Sequence, residues 1–463
     1  MAVRMKGCYL VKPAEPTWNG FQSLSEWDQT GLITHVPSIY LYRPSQKWST
    51  VADITNTLTQ SLSRALVHFY PLAGRLRCLP GGRLELNCNA EGVLFTEVEF
   101  DSELDALGDL SPSSESCHHL APVVDYTRPI HELPLLVIQL TRFSCGGIGL
   151  GLAISQAVVD GPSAMHFFSE WAGLARGEQL KTTPLLDRKC LRAGDLPLGS
   201  PCFNHVEFDS PPILVGQSNC NEERTKETTV AMLRVTKEQL KKLKRIANDG
   251  RDSKTTRPYT RYEMLAGHVW RCACKARKHS KEQATALAIS VDVRNRIEPR
   301  IPISYLGNAS FDVTANSSSE DLVSKPLSFA ANKIRETVEK VTNDYIWSSI
   351  EYLKNQKDLV KFRDLQYCTF NEGPFSGNPN LSVVSWLRLP LYGLDFGWGN
   401  EVCMTHSCDI DGDVFLRSDP SCKDDGSLVV AICLQVQHMD SFKKHFYSDI
   451  GRLFDDMDLK GLS

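Results

Sequence analysis

Along residues 51–76, VADITNTLTQSLSRALVHFYPLAGRL, apolar side chains recur at Ile54, Leu58, Leu62 and Leu66. Steps of four put them on one stripe of a helix, which Pro71 stops. The run GRLELNCNAEGVLFTEVEF (82–100) partly alternates and turns at Gly92, so it predicts a β-hairpin. LPLLVIQLTRFSCGGIGLGLAISQAVV (133–159) predicts two buried strands around Gly146-Gly147. GPSAMHFFSEWAGLARG (161–177) predicts a helix, with Asp160 as its N-cap and Pro162 in its first turn. The pattern lapses over 178–228, where Pro, Ser, Asn and charged residues accumulate, and this stretch reads as a crossover. Helices resume at 237–250, ended by Gly250, and at 260–277. ATALAISVDVRNRI (284–297) predicts a buried strand with polar residues at its end, and 328–355 predicts one helix or two. A strand and a tight Gly-rich loop follow at 381–399, then a last strand and helix at 426–454. Helices and strands mix in both halves, which predicts an α/β fold of two lobes, 1–180 and 229–463, joined by a linker at 181–228.

Composition narrows the function classes. A chain of 463 residues, 42% hydrophobic and 23% charged, has room for two lobes with buried cores. A net charge of −4 supplies no general basic field for nucleic acid, and the basic cluster at 241–245 reads as a solvated helix face. No run approaches the roughly 20 apolar residues of a membrane span, and the N-terminus has no apolar core of signal-peptide length. The 15 scattered cysteines then read as reduced thiols of a cytoplasmic protein. Cys272 and Cys274 lack the spacing of a zinc knuckle, so no metal site is expected. GGIGLGLAI (146–154) leads into a strand instead of a helix and fails as a dinucleotide loop. The sequons at Asn308 and Asn316 are expected to be idle.

The chemistry concentrates where the apolar run 149–155 ends. It delivers Gln156 to a loop, and a helix starts after Asp160-Gly161-Pro162. A group so placed is available for catalysis, yet an amide cannot take a proton near neutral pH, whereas His can. QAVVDG (156–161) stands where BAHD acyltransferases have H-x-x-x-D-G, and DFGWG (395–399) is similar to that family's second signature. YPLAGRL (70–76), YEMLAGHVWRC (262–272) and YLGNA (305–309) resemble the family in the same order, so the resemblance spans nearly the whole chain. PAEPTW, ELNCNAEGV, YLKNQKDL and GNPNLSVVSWL resemble the plant spermidine hydroxycinnamoyl transferases within it, and the shikimate and quinate hydroxycinnamoyl transferases are also similar.

This resemblance implies two chloramphenicol-acetyltransferase-like lobes with a channel between them. A hydroxycinnamoyl-CoA co-substrate enters from one face and the acceptor from the other, with no separate cofactor and no covalent acyl-enzyme. Gln156 matches the family's general base. Asp395 matches a residue sometimes given a catalytic role, although its loop, with Gly397 and Trp398, implies scaffold first. Asp160 matches an Asp that pairs with an Arg, here Arg294. Ser385 and Trp386 match donors near the oxyanion, with Val384 where the shikimate enzymes often carry Thr. Thr260, Arg261, Tyr262 and Glu263, and the segment containing Ser290, Arg294 and Arg296, match the acyl-CoA site. His35 and Tyr40 match channel residues near the acyl group. Gly377 stands near the position of an Arg that holds a carboxylate acceptor in the shikimate enzymes, and Glu372 is a candidate anion for an ammonium. These matches imply a monomer that acylates a polyamine, spermidine, and is impaired by Gln156. The alternatives are a shikimate- or quinate-type O-acyltransferase, a transferase of altered chemistry that works without the His, and a non-catalytic binding protein on the same fold.

Overall fold

A computed structural model describes residues 3–31, 33–45, 51–107, 115–249, 257–366, 377–406, 408, 410–419 and 426–451. The first of two six-stranded sheets runs in the order Val3–Val11, Val93–Phe100, Leu136–Phe143, Ile148–Ser155, His35–Tyr42, Cys403–His406. Ile148–Ser155 is buried at every position. It is a central strand covered on both faces, which is why its sequence runs apolar without alternating. Helices Val51–His68 and Gly161–Ala175 pack on this sheet, and Leu58, Leu62 and Leu66 of the apolar stripe meet Phe167 and Trp171 in one core.

The second sheet runs Ser310–Ser318, Ala284–Asp292, Leu381–Ser385, Asp413–Ser418, Leu428–Gln435, Thr228–Val235. Helices Arg261–Arg277, Leu327–Glu339 and Val436–Ile450 share its core, with Trp270 and Phe446 fully buried and Cys272 and Cys274 packed inside. The helical run 328–355 is two helices, Leu327–Glu339 and Asn343–Lys354. Among the described residues no helix is long and apolar enough to cross a membrane, and no cluster of His, Cys, Asp or Glu is arranged to hold a metal. Gly250 and residues 452–454 lie outside the described residues.

Two expectations change. Residues 82–100 do not form a hairpin. Leu84–Asn87 pairs with Phe21–Ser23 and Arg75–Cys78 in a separate three-stranded sheet, while Val93–Phe100 joins Val3–Val11 and Leu136–Phe143. At the turn, Gly92 has φ 109°, and a Cβ there would come within 2.7 Å of the Val11 carbonyl oxygen. The close approach needs glycine and sends the chain to a second sheet. Alternation identifies strands without naming their partners.

The division into 1–180 and 229–463 also fails as a clean cut. Cys403–His406 is an edge strand of the first sheet, antiparallel to His35–Tyr42. Leu391, Leu394 and Phe396 belong to the first core. In return, Trp27 stacks on Phe311 at 5.3 Å in the second core. Burial of apolar surface decides which core a segment joins, whatever its place in the chain. Phe396, 1% exposed, sits 4.8 Å from Trp171 edge-on and 5.7 Å from Trp398. Phe396→Ala is expected to cost about 3–5 kcal/mol, read as a lower urea midpoint. Hydrogen exchange should accelerate more in helix Gly161–Ala175 than in helix Arg261–Arg277, although residue 396 is nearer in sequence to the latter.

Candidate active site

The loop 156–160 is fixed by what its backbone and Asp160 touch. Asp160 caps helix Gly161–Ala175, accepting from the Ser163 N–H at 3.0 Å. The same carboxylate takes both terminal nitrogens of Arg294 at 2.8 Å, the Ala309 N–H at 2.9 Å and the Ser310 hydroxyl at 3.3 Å. Both ionic side chains are buried. Burial pushes the Asp160 carboxyl up, but the Arg294 guanidinium and the hydrogen bonds outweigh it and hold it below the usual carboxylate range. Arg294 is therefore committed to Asp160, as expected of the pair, and is not available to coenzyme A.

A second buried ion pair supports the same loop. Asp28 and Arg188 meet at 2.7 Å, and Arg188 donates to the Val158 carbonyl at 2.8 Å. The Asn308 amide donates to Asp28 at 2.9 Å and to the Gln156 carbonyl at 2.7 Å. Gly31 lies against that carbonyl, where a Cβ would approach to 2.7 Å. Asp28 and Arg188 are the residues that the sequence reading missed. Asp28 looks like half of a helix-start pair with Ser25, which it is, and nothing local announces its partner 160 positions away. Asn308 falls in YLGNA, whose role was unassigned.

The Gln156 side chain itself is half-buried, and no hydrogen bond to its amide is formed among the described residues. His35 faces Ser155 across the strand pair but has no ring nitrogen free to act as a base. Its Nε2–H donates to the Pro134 carbonyl at 2.7 Å, and Nδ1 accepts from the Tyr126 hydroxyl at 3.0 Å. Burial pulls the ring down to about 4, so it is neutral at pH 7 with both nitrogens occupied.

The remaining expected residues separate. Asp395 accepts from the Gly397 and Gly399 N–H groups at 2.7 and 2.8 Å, closing its own loop, where both glycines have positive φ. Its carbonyl takes Arg176, at the far end of the 15-residue helix that Asp160 caps. That helix is about 22 Å long, so Asp395 is far from residue 156 and is not catalytic. Trp398 packs edge-on to Tyr42 at 6.0 Å. Tyr40 is wholly buried, its hydroxyl against Met165 Sδ, and does not line a channel. Thr260 and Glu263 form a capping box, and Glu263 also pairs with Arg335 at 2.8 Å and Arg257 at 3.0 Å. Arg296 donates to the Val338 and Val341 carbonyls at 2.8 and 3.1 Å. These side chains hold helices and are not free for an acyl-CoA. Arg261 and Ser290 are exposed, and the Tyr262 hydroxyl donates to the Val383 carbonyl at 2.8 Å. Ser385 is exposed and Trp386 half-buried against His406 and Phe415. This turn abuts the loop, because a Cβ on Gly161 would lie 3.0 Å from Leu389. Glu372 lies outside the described residues.

One face of the second sheet carries Leu287, Ile289, Phe311, Val313 and Val383 into the core. The other presents Ala284, Ala286, Ala288, Asp312, Thr314, Asn316 and Ser382 to a cavity of about 500 Å³, whose far wall is the crossover at 206–213.

Two outcomes follow from the buried ions. Arg294→Met leaves Asp160 charged and unpaired, which is expected to cost about 3–5 kcal/mol, while Asp160→Asn combined with Arg294→Met recovers much of it; urea midpoints of the three variants check this. The Asp160 carboxyl, lowered on folding, adds stability that is present above the ordinary carboxylate range and lost as pH falls through its folded value. His35 titrates near 4 folded and about 6.5 unfolded. The unfolded chain takes that proton first, so stability falls as pH drops from 6.5 to 4, and His35→Asn flattens the slope by about one proton.

Residues 1–449 match the Transferase family. The chain is 45% identical to a hydroxycinnamoyl-CoA:piscidic acid hydroxycinnamoyltransferase of Actaea racemosa, over 97% of this chain and 100% of that protein. It is 39% identical to a shikimate O-hydroxycinnamoyltransferase of Nicotiana tabacum, over 96% and 100%. It is 34% identical to a hydroxycinnamoyl-CoA:5-hydroxyanthranilate N-hydroxycinnamoyltransferase of Avena sativa, over 96% and 99%. Vinorine synthase has the same fold, with a TM-score of 0.73 at 22% identity over 96% of this chain and 98% of that one. So does F. graminearum TRI101 complexed with ethyl coenzyme A, with a TM-score of 0.72 at 17% identity over 92% and 97%. The chain is an acyltransferase and belongs to the Transferase family, the BAHD enzymes.

Proposed function

We propose that this protein moves a hydroxycinnamoyl group from coenzyme A to a polyamine of the spermidine class, and that Gln156 limits the rate. The observation that carries the reading is a loop clamped by Arg188, Asn308 and Arg294, presenting at residue 156 a side chain with no partner among the described residues. Such clamping preorganises a group for reaction. The relatives compared are named as hydroxycinnamoyl transferases, which supports the donor.

In the transfer, the amine lone pair attacks the thioester carbonyl, the C–N bond forms, the C–S bond breaks, and the displaced amine proton leaves to a base. A His at 156 would take that proton; the amide orients the amine by hydrogen bonding and leaves the proton to water or the departing thiolate. An alcohol acceptor needs deprotonation before attack and suffers more from the Gln than an amine that is already free base.

A second reading, O-acylation of a hydroxy acid, is favoured by the relatives named for piscidic acid and shikimate. Against it stands Gly377, which has no side chain with which to hold a carboxylate.

With coumaroyl-CoA and spermidine, Gln156→His is expected to raise amide formation at least ~10²-fold, followed by mass spectrometry. A His variant no faster than the starting protein removes residue 156 from the reaction. In that variant spermidine should outcompete shikimate and quinate at equal concentration, and ester as the main product would establish the second reading.

A further inference from the structure

The cavity beneath the crossover has an unusual wall. On the edge strand Ser310–Ser318, Phe311, Val313 and Ala315 turn into the core, while Asp312, Thr314 and Asn316 face the cavity. The neighbouring strand offers only Ala284, Ala286 and Ala288 to it. Small residues leave room beside the backbone, and Asp312 stands at one end of that room. Of the three acids that line the cavity, Glu207 is engaged by His205 at 2.8 Å and Tyr345 at 2.7 Å, and Asp209 is exposed on the crossover. Among the described lining residues there is no Lys or Arg, and no ion pair to Asp312 forms among the described residues.

The place of Asp312 ties it to the candidate active site. Ser310, two residues earlier on the same face, reaches Asp160 at 3.3 Å. Two residues of strand advance about 7 Å. Asp312 thus stands two strand positions from Ser310, the residue that reaches the loop's Asp160. Its register partner on the neighbouring strand is Ser290. Burial raises the carboxyl above its usual value, with Ser290 opposing. A half-buried acid without a counter-ion is improved by a cation placed beside it.

We propose that Asp312 selects the acceptor, taking the distal ammonium of an aliphatic di- or polyamine while its other amine is the nucleophile beside residue 156. This rests on the amine-acceptor reading above and adds the residue that recognises the cation. Thr314 and Asn316 extend the polar wall for a longer polyamine, and the alanines accept its methylenes.

The test compares acceptors within one enzyme sample, because a ratio of kcat/KM values does not depend on how much of the sample is folded. In the Gln156→His background, putrescine, which carries a second ammonium, is compared with butylamine, which does not. Asp312 is expected to favour putrescine by at least ~10-fold, the worth of a charge-assisted contact. Asp312→Asn should bring the ratio close to one, and Asp312→Glu should restore part of it. Raising the salt concentration should erode the preference in the Asp312 protein and not in Asp312→Asn. A putrescine preference that survives in Asp312→Asn overturns the assignment while leaving amine acylation intact. Absence of any amide product, with ester formed from a hydroxy acid, overturns the amine reading itself. If Asp312→Asn yields no folded protein, the salt dependence with Asp312 present decides: no erosion of the preference sinks the proposal.

Discussion

The Asp160–Arg294 pair is the constraint on which the rest of the site depends. One carboxylate starts the helix Gly161–Ala175, fixes the turn that bears Gln156, and anchors to a strand end of the second sheet. Both ions are buried, so separating the lobes at this point would break the ion pair that offsets their desolvation. The Asp28–Arg188 pair repeats the arrangement from the crossover side, with Asn308 joining the two networks. Residue 156 is held from both lobes through backbone atoms, so its side chain can change without the loop losing its shape. A change of side chain at residue 156 therefore leaves the architecture of the loop in place.

Local signals were legible in the sequence and distant pairings were not. The Asp160 cap, the helix stripe at Ile54–Leu66 and the buried strand 148–155 each follow from neighbours within a few residues, and each forms. The motif match placed Arg294 opposite Asp160 correctly. The same matching gave Glu263, Arg296 and Tyr40 to substrate, whereas the fold uses them for a helix cap, a helix end and core packing. A charged or aromatic side chain near a channel has structural obligations that no short motif encodes. Asp28 and Arg188 were unreadable because their pairing is a property of the folded chain alone.

The strand 310–318 shows a subtler limit. Its burial alternates, with Phe311, Val313 and Ala315 in the core and polar residues between them on a wet face. Wet is not the same as outward: the polar face looks into a cavity closed by the crossover. Residues 206–213 of the stretch that looked like a spacer thus wall that cavity, and their irregular composition suits a surface that follows a cavity more than one that packs a core.

The position of Cys403–His406 in the first sheet has a consequence for synthesis. Until that strand arrives, His35–Tyr42 is an open edge whose backbone donors and acceptors invite pairing with another chain. At the roughly 5–20 residues per second of translation, the edge stays uncovered for at least about 18 seconds after it emerges. The sheet gains this edge strand only after most of the second lobe has been made.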